Sequence, residues 1–334
     1  MHFLFLQLKR IGDLVLTAPA LAALRVQFPK ARITLATTET CAPLTPLFPH
    51  LDTTLVLPRS GPGLAFWKTL LALRPDACLD FTGTDRSALA AWISRAPQRL
   101  AFSAPPRFRM RAYTRLIDSP VRERHTVDHH LQLLTGLNPP AAAQEPDSPH
   151  LVLPPAESAA VHRLLGQDPF VVLHPGTARP EKFWVPNRWA ALAREIQNQF
   201  QIRVVLTGGS DPFEQEHLQQ IHAAIPGSCM DLSGKIPLST FAAVLASARL
   251  VVSTDTAALH LASAFRVPQI ALFGPTNPFH WRPRHPQAMV FSAAHPDAPM
   301  AAFEPRMKGA PMDRIQAGPV ARCASELLAV SLRP

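Results

Sequence analysis

Cysteine is scarce and scattered in this 334-residue chain, with four in all. Cys41, Cys78, Cys229 and Cys323 form no CxxC pair and no Cys/His cluster. That argues against a zinc site and a disulfide framework, and for a reducing compartment. Tyrosine is almost absent, with Tyr113 the single example. The densest basic stretch, residues 107–124, holds only Phe108 and Tyr113 as aromatics. Single-stranded nucleic acid is bound by basic runs interleaved with aromatics, so no nucleic-acid partner is expected. No apolar run is long enough to span a bilayer. The N-terminal run Met1-His2-Phe3-Leu4-Phe5-Leu6-Gln7-Leu8 is followed, not preceded, by its charges Lys9 and Arg10. That is the wrong order for a signal peptide, so it reads as a first buried strand in a soluble, cytoplasmic protein. There is no GxGxxG, and no metal-ligand spacing. Any chemistry is expected to proceed without a metal or a cofactor.

What is present is apolar content, proline and positive charge. Hydrophobic residues make up 47% of the chain and charged ones 17%, a globular composition. The length suggests two domains, at the usual ~100–200 residues each. Proline reaches 36 residues, about twice the ordinary ~5% share, and sits mostly between apolar segments as punctuation. A net charge of +9 favours anionic partners: nucleic acid, a phosphorylated substrate or an acidic membrane surface, with a generic basic surface as the alternative.

Strand and helix patterns alternate along both halves. In the first half, strands are expected at residues 3–8, 32–37, 53–57 and 77–80, with a helix from Leu14, bent by Pro19, and another at 64–73. Residues 101–124 are rich in Arg and Pro with weak periodicity. Residues 138–149, dense in Pro, Ala, Asp and Ser, read as an interdomain linker. In the second half, strands are expected at 170–173, 202–206, 250–252 and 269–273. Helices are expected at 188–200, 214–224, 241–248 and 259–265. This gives two doubly wound α/β domains, 1–150 and 151–318, facing across a cleft. A last helix within 319–334 has the option of packing back on the first domain.

Polar clusters fall at the carboxyl ends of these strands, where such sheets hold ligands. Gly12-Asp13 follows the first strand. Asp13 is suited to capping a helix, and equally to taking a proton from an acceptor hydroxyl. His174-Pro175-Gly176-Thr177 is followed by Arg179, Lys182, Trp184 and Trp189. Lys182 is either solvated surface or a point charge for a leaving diphosphate, and Trp189 reads as core. Thr207-Gly208-Gly209-Ser210-Asp211 permits close approach of a ligand to the backbone, with Asp211 either a cap or a ribose ligand. Ser253-Thr254-Asp255-Thr256 leads into a helix carrying His260, either a packed residue or a functional one. The start of that helix is a ready anion site.

In this order the clusters resemble glycosyltransferase family 9, the ADP-heptose:lipopolysaccharide heptosyltransferases. The resemblance rests on Lys9-Arg10-Ile11-Gly12-Asp13-Leu14-Val15-Leu16-Thr17-Ala18-Pro19-Ala20-Leu21 and on His174-Pro175-Gly176 with Lys182 and Trp184. It continues through Thr207-Gly208-Gly209-Ser210-Asp211 and Asp255-Thr256-x-x-x-His260-Leu261-Ala262 to Leu272-Phe273-Gly274-Pro275-Thr276. It implies a GT-B fold with the acceptor on the N-terminal domain and the nucleotide sugar mainly on the C-terminal one. It also implies an inverting, metal-independent transfer of heptose from ADP-heptose to an inner-core sugar of lipopolysaccharide.

By motif position the resemblance makes Asp13 the general base and sets Lys182 and Thr177 on the pyrophosphate. Gly12 and Arg179 join the donor-binding set, Asp211 meets the ribose, and Asp255, Thr256 and His260 hold sugar and phosphates. A lipid-linked core acceptor implies peripheral contact with the inner membrane face. The chain departs from the family at Ala257-Ala258, where Gly-Pro or at least Gly is usual, and at Ala178, where some relatives carry a second hydroxyl. Those departures keep two alternatives in play: a GT-B transferase with another donor, and a non-catalytic sugar-nucleotide-binding relative.

Overall fold

Phe3, Leu4, Phe5 and Leu6 are all fully buried in β1 (His2–Gln7). A strand apolar on both sides belongs inside a parallel sheet covered by helices on each face. In the computed structural model the described residues are 1–103, 107–137, 150–225 and 229–332. The chain divides between Val152 and Leu153 into two compact units. The expected linker, 138–149, lies outside the described residues.

In the first unit, β1 is joined by β2 (Arg32–Thr38), β3 (Thr53–Leu57), β4 (Ala77–Asp80), β5 (Gln98–Phe102) and β6 (Arg115–Ile117). All pair in parallel in the order β3-β2-β1-β4-β5-β6, with Phe5 beside Leu35 on one side and Leu79 on the other. The helix expected from Leu14 is two helices, α1 (Ile11–Val15) and α2 (Ala18–Gln27). Pro19 does not bend a continuous helix. It lies in the first turn of α2, where its missing N–H has no partner to lose. α3 (Leu64–Leu73), α4 (Asp85–Ile93), α5 (Arg107–Met110) and α6 (Thr126–Leu134) complete the unit.

The second unit repeats the plan with β7 (Phe170–His174), β8 (Arg203–Leu206), β9 (Cys229–Asp231), β10 (Leu250–Thr254), β11 (Gln269–Phe273) and β12 (Ala288–Ser292). Its parallel order is β12-β11-β10-β7-β8-β9. The helices are α7 (Pro155–Leu165), α8 (Pro186–Phe200), α9 (Pro212–Ala224), α10 (Leu238–Ser247), α11 (Ala257–Ala264) and α12 (Ala317–Ser331). α12 packs on α8, β10 and β11, and sends Val320, Cys323, Ala324 and Leu328 into the core beside Trp184 and Trp189. The last helix is therefore a layer of the second domain, because its apolar stripe fills that core. Both chain halves are Rossmann-like, the two-domain architecture expected from the sequence.

Candidate active site

In the second unit the strand order reverses between β7 and β10, and a doubly wound sheet opens its ligand crevice at that point. His174 ends β7 beside Ser253 of β10. Its Nδ1 lies 2.9 Å from Thr207 Oγ1, tying the ends of β7 and β8 together. Burial lowers the His174 pKa to about 4, so the ring is neutral at pH 7.

Lys182 ends a single helical turn, Pro180–Lys182, and its side chain is 12% exposed. It is not solvated surface. Its Nζ donates to Asp255 Oδ2 at 2.6 Å and to the Asp255 carbonyl at 3.0 Å. Thr276 Oγ1 donates to the same Oδ2 at 2.8 Å. Residues far apart in sequence thus converge just past the end of β10.

Around this pair the hydroxyls of Ser253, Thr254 and Thr256 are buried and hydrogen-bond to nothing among the described residues. Thr256 precedes the first turn of α11 but its side chain does not cap it. The N–H groups of that turn therefore lack a side-chain acceptor from the position that usually supplies one. Uncapped N–H groups at the head of α11 and the ammonium held beside Asp255 form a donor set, and such a set suits phosphate oxygens. His260 is buried one turn further along α11.

The remaining predicted donor residues sit differently. Thr177 is buried and its Oγ1 accepts the Arg179 N–H at 3.2 Å, a local loop contact. Arg179 pairs with Glu181, Nε to Oε1 2.7 Å, both side chains 48% exposed. Asp211 is exposed and caps α9, its Oδ1 accepting the Phe213 N–H at 3.2 Å. Trp184 is core like Trp189, its Nε1 donating to the Ile315 carbonyl at 2.8 Å.

Sequence reasoning missed Glu214. It is buried in the first turn of α9, and its Oε1 accepts the Gly209 N–H at 2.5 Å. Burial raises its pKa, the Gly209 N–H lowers it, and the nearby Asp211 raises it again. This carboxylate, with Leu218 against Gly208, explains the glycines. A Cβ on Gly176 would overlap Glu214 Oε1 and come within 2.8 Å of Gly208 Cα, and one on Gly209 would reach 2.8 Å from Glu214 Oε2. The signal was present as Asp211-x-x-Glu214, the spacing of a capping box. Here, however, the Glu turns to the glycine loop instead of the cap.

In the first unit the order reverses between β1 and β4. Asp13 stands past the end of β1, in the first turn of α1, and is not a cap: Arg10 holds that position. Gly12 lies inside the helix and has no left-handed φ, so the turn out of β1 is made by the residues before it. The backbone here is pinned. Thr17 Oγ1 donates to the Asp13 carbonyl at 2.9 Å, Gln7 Nε2 donates to Thr17 Oγ1 at 2.9 Å, and His130 Nδ1 lies 2.9 Å from the Leu16 carbonyl. Burial drops the His130 pKa to about 3. The half-buried Asp13 carboxylate itself hydrogen-bonds to no described residue. Its backbone is fixed and its carboxylate is left as an open acceptor. Among the described residues no three His, Cys, Asp or Glu side chains gather into a metal position.

Comparison with known proteins adds identity to this geometry. The profile of glycosyltransferase family 9 (heptosyltransferase) matches residues 64–310. Lipooligosaccharide heptosyltransferase 2 of Haemophilus influenzae is 23% identical over 309 residues, covering 87% of this chain and 88% of that protein. The solved ADP-heptose lps heptosyltransferase II of E. coli superposes with a TM-score of 0.82 at 20% identity, covering 100% of each chain. The E. coli heptosyltransferase WaaC, solved with ADP-2-deoxy-2-fluoro heptose, gives 0.74 at 21% identity, covering 98% of this chain and 99% of that one.

Proposed function

This chain belongs to glycosyltransferase family 9 and is a glycosyltransferase, and we propose that it moves heptose from ADP-heptose to an inner-core sugar of lipopolysaccharide. The observation that carries the donor half is the Lys182–Asp255 pair beside the uncapped start of α11 at the switch point of the second sheet. The heptosyltransferase relatives, one of them solved with an ADP-heptose analogue, support ADP as the nucleotide.

In the proposed reaction the acceptor hydroxyl oxygen attacks C1 of the heptose while the bond from C1 to the diphosphate oxygen breaks. Asp13 takes the hydroxyl proton, and ADP leaves with the bonding electrons. A single displacement of this kind inverts the anomeric centre. Lys182, Thr177 and the uncapped start of α11 at Thr256 stabilise the charge growing on the diphosphate. Arg179 is a further cation on the Thr177 loop. Asp211, whose second carboxylate oxygen is free of the cap, meets the ribose, and Asp255 and His260 orient the sugar. No metal takes part in this scheme. The enzyme works at the cytoplasmic face of the inner membrane in peripheral contact with it; among the described residues no helix is long and apolar enough to cross a membrane.

The test is thermal unfolding with ADP, UDP and GDP in turn, without added metal. Protection by ADP alone is expected. Protection by UDP or GDP instead would move the donor to another nucleotide sugar, and protection by none would point to a relative that has lost donor binding.

A further inference from the structure

Exposed large apolar side chains are concentrated on one part of the first unit. Leu64 (73% exposed) and Leu71 on α3, Leu89 and Trp92 (61%) on α4, and Phe108 (66%) and Met110 on α5 all stand in solvent. They share a side. Leu64 and Leu71 are seven residues apart, and Leu89 and Trp92 three, so each pair lies on one helix face. α3 and α4 touch each other. Phe66, Leu70, Ala90 and Ala91 point from the opposite faces of these helices into one core cluster, which also contains Ala112 and Tyr113 just beyond α5. Arg109 of α5 is bound to Asp85 at the start of α4 and to the Gly83 carbonyl, fixing the short helix beside the longer one.

The charge of this region is one-sided. Residues 61–112 contain eight Lys and Arg, three Asp and no Glu. None of the three acids is unengaged: Asp80 is buried, Asp85 is paired with Arg109, and Asp76 accepts the His2 N–H at 2.6 Å. Lys68 and Arg86 are exposed among the apolar residues of α3 and α4. Exposed Trp and Phe beside Leu, interspersed with uncompensated cations, match an anionic bilayer surface. There the rings enter the headgroup zone while the cations meet lipid phosphates. A water-facing role would leave Leu64, Trp92 and Phe108 without a physical reason, since monomeric proteins seldom gather such residues in one patch.

We propose that the α3–α4–α5 face docks the enzyme on an anionic lipid bilayer. The proposal rests on the reading of this chain as a peripheral enzyme with a lipid-linked acceptor, and gives that contact its residues. None of them belongs to the candidate catalytic set.

The experiment is sedimentation of the full chain with vesicles of phosphatidylcholine mixed with phosphatidylglycerol, and of phosphatidylcholine alone. Each protein is also melted with and without ADP, and its oligomeric state measured. Wild type is expected to bind the anionic vesicles, more weakly at high salt. Lys68→Gln and Arg86→Gln are each expected to weaken binding about fivefold, and Trp92→Glu with Phe108→Glu to abolish it. The ADP-induced stabilisation should be equal in all of them. Binding that is indifferent to these substitutions would overturn the docking face. So would failure of the wild type to bind any vesicle, or a dimer that Trp92→Glu dissociates without vesicle binding, which would give the face to a second copy. Vesicle binding with no response to ADP would leave the face standing while the donor assignment fell.

Discussion

The ammonium of Lys182 sits 2.6 Å from Asp255 Oδ2 and 3.0 Å from the Asp255 carbonyl, so the cation expected to meet the donor diphosphate is already held at the head of α11. A positioned charge needs little reorganisation when charge develops on the leaving group, and removing one such donor costs ~10²–10³ in rate. Lys182→Ala is expected to lower turnover by about that factor and to shrink protection by ADP. Because it strands a buried carboxylate, it should also lower unfolding stability by about 3 kcal/mol. Adding Asp255→Ala should recover most of the stability and none of the turnover. Denaturant titration and a transfer assay on both variants check this. Turnover unaffected in Lys182→Ala would remove Lys182 from the chemistry.

Asp13 makes the converse case. Its carboxylate engages no described residue, while its backbone is pinned through Thr17 and Gln7. Asp13→Asn keeps the size of the side chain and removes no hydrogen bond, so it is expected to leave the melting temperature within about a degree, as for substitutions away from such contacts, within about ±0.5 kcal/mol. Turnover should fall ~10²–10⁴-fold as general-base catalysis is lost. Wild-type turnover in a folded Asp13→Asn protein would end its role as base.

Gly176 is required by the approach of the Gly208 backbone and the Glu214 carboxylate, and not by its own φ. Gly176→Ala is expected to cost about 1–3 kcal/mol through overpacking, a drop of several degrees in Tm. Gly318→Ala, whose new methyl would meet only Arg322 Nη1 at 3.6 Å, should be neutral or slightly stabilising. Differential scanning calorimetry of the two separates packing from general glycine effects.

Acid sensitivity follows from the buried histidines. His130 and His174 have folded pKa values of about 3 and about 4, below the ordinary 6.5. The unfolded chain binds their protons first, so their contribution is complete above pH 6.5 and is lost as pH falls towards 4. Glu214 acts in the opposite direction. Its raised pKa makes its contribution complete below its ordinary value of 4.5 and lost as pH rises through the folded value. Between pH 6.5 and 5 the histidines dominate, and Tm is expected to fall on acidification. His174→Asn should flatten that slope. A Tm that rises on acidification over this window would contradict the assignment.

Much of the fold was legible because parallel strands are apolar on both faces and short. β3, β4, β11 and α3 match their expected bounds. β5 and β6 were not read: Gln98–Phe102 and Arg115–Ile117 are brief, and β6 lies at the sheet edge, where one side needs no apolar partner. α4 was missed because its buried face is Ser87, Ala88, Ala90 and Ala91, too small to give a strong period, while Leu89 and Trp92 point outward. At the site, motif spacing placed residues at strand ends. It was blind to partners distant in sequence, and the Lys182–Asp255 bond and the packing of Glu214 on Gly176 appear only in three dimensions.

The most direct test is a single incubation of the purified enzyme with ADP-heptose and a heptose-deficient inner-core acceptor. ADP release and product are quantified together, and the new linkage is read by NMR. The account predicts one ADP per heptose transferred, with inversion at the anomeric carbon and no requirement for added metal. Transfer from a UDP- or GDP-sugar with ADP-heptose left intact, or retention at the anomeric carbon, would contradict it.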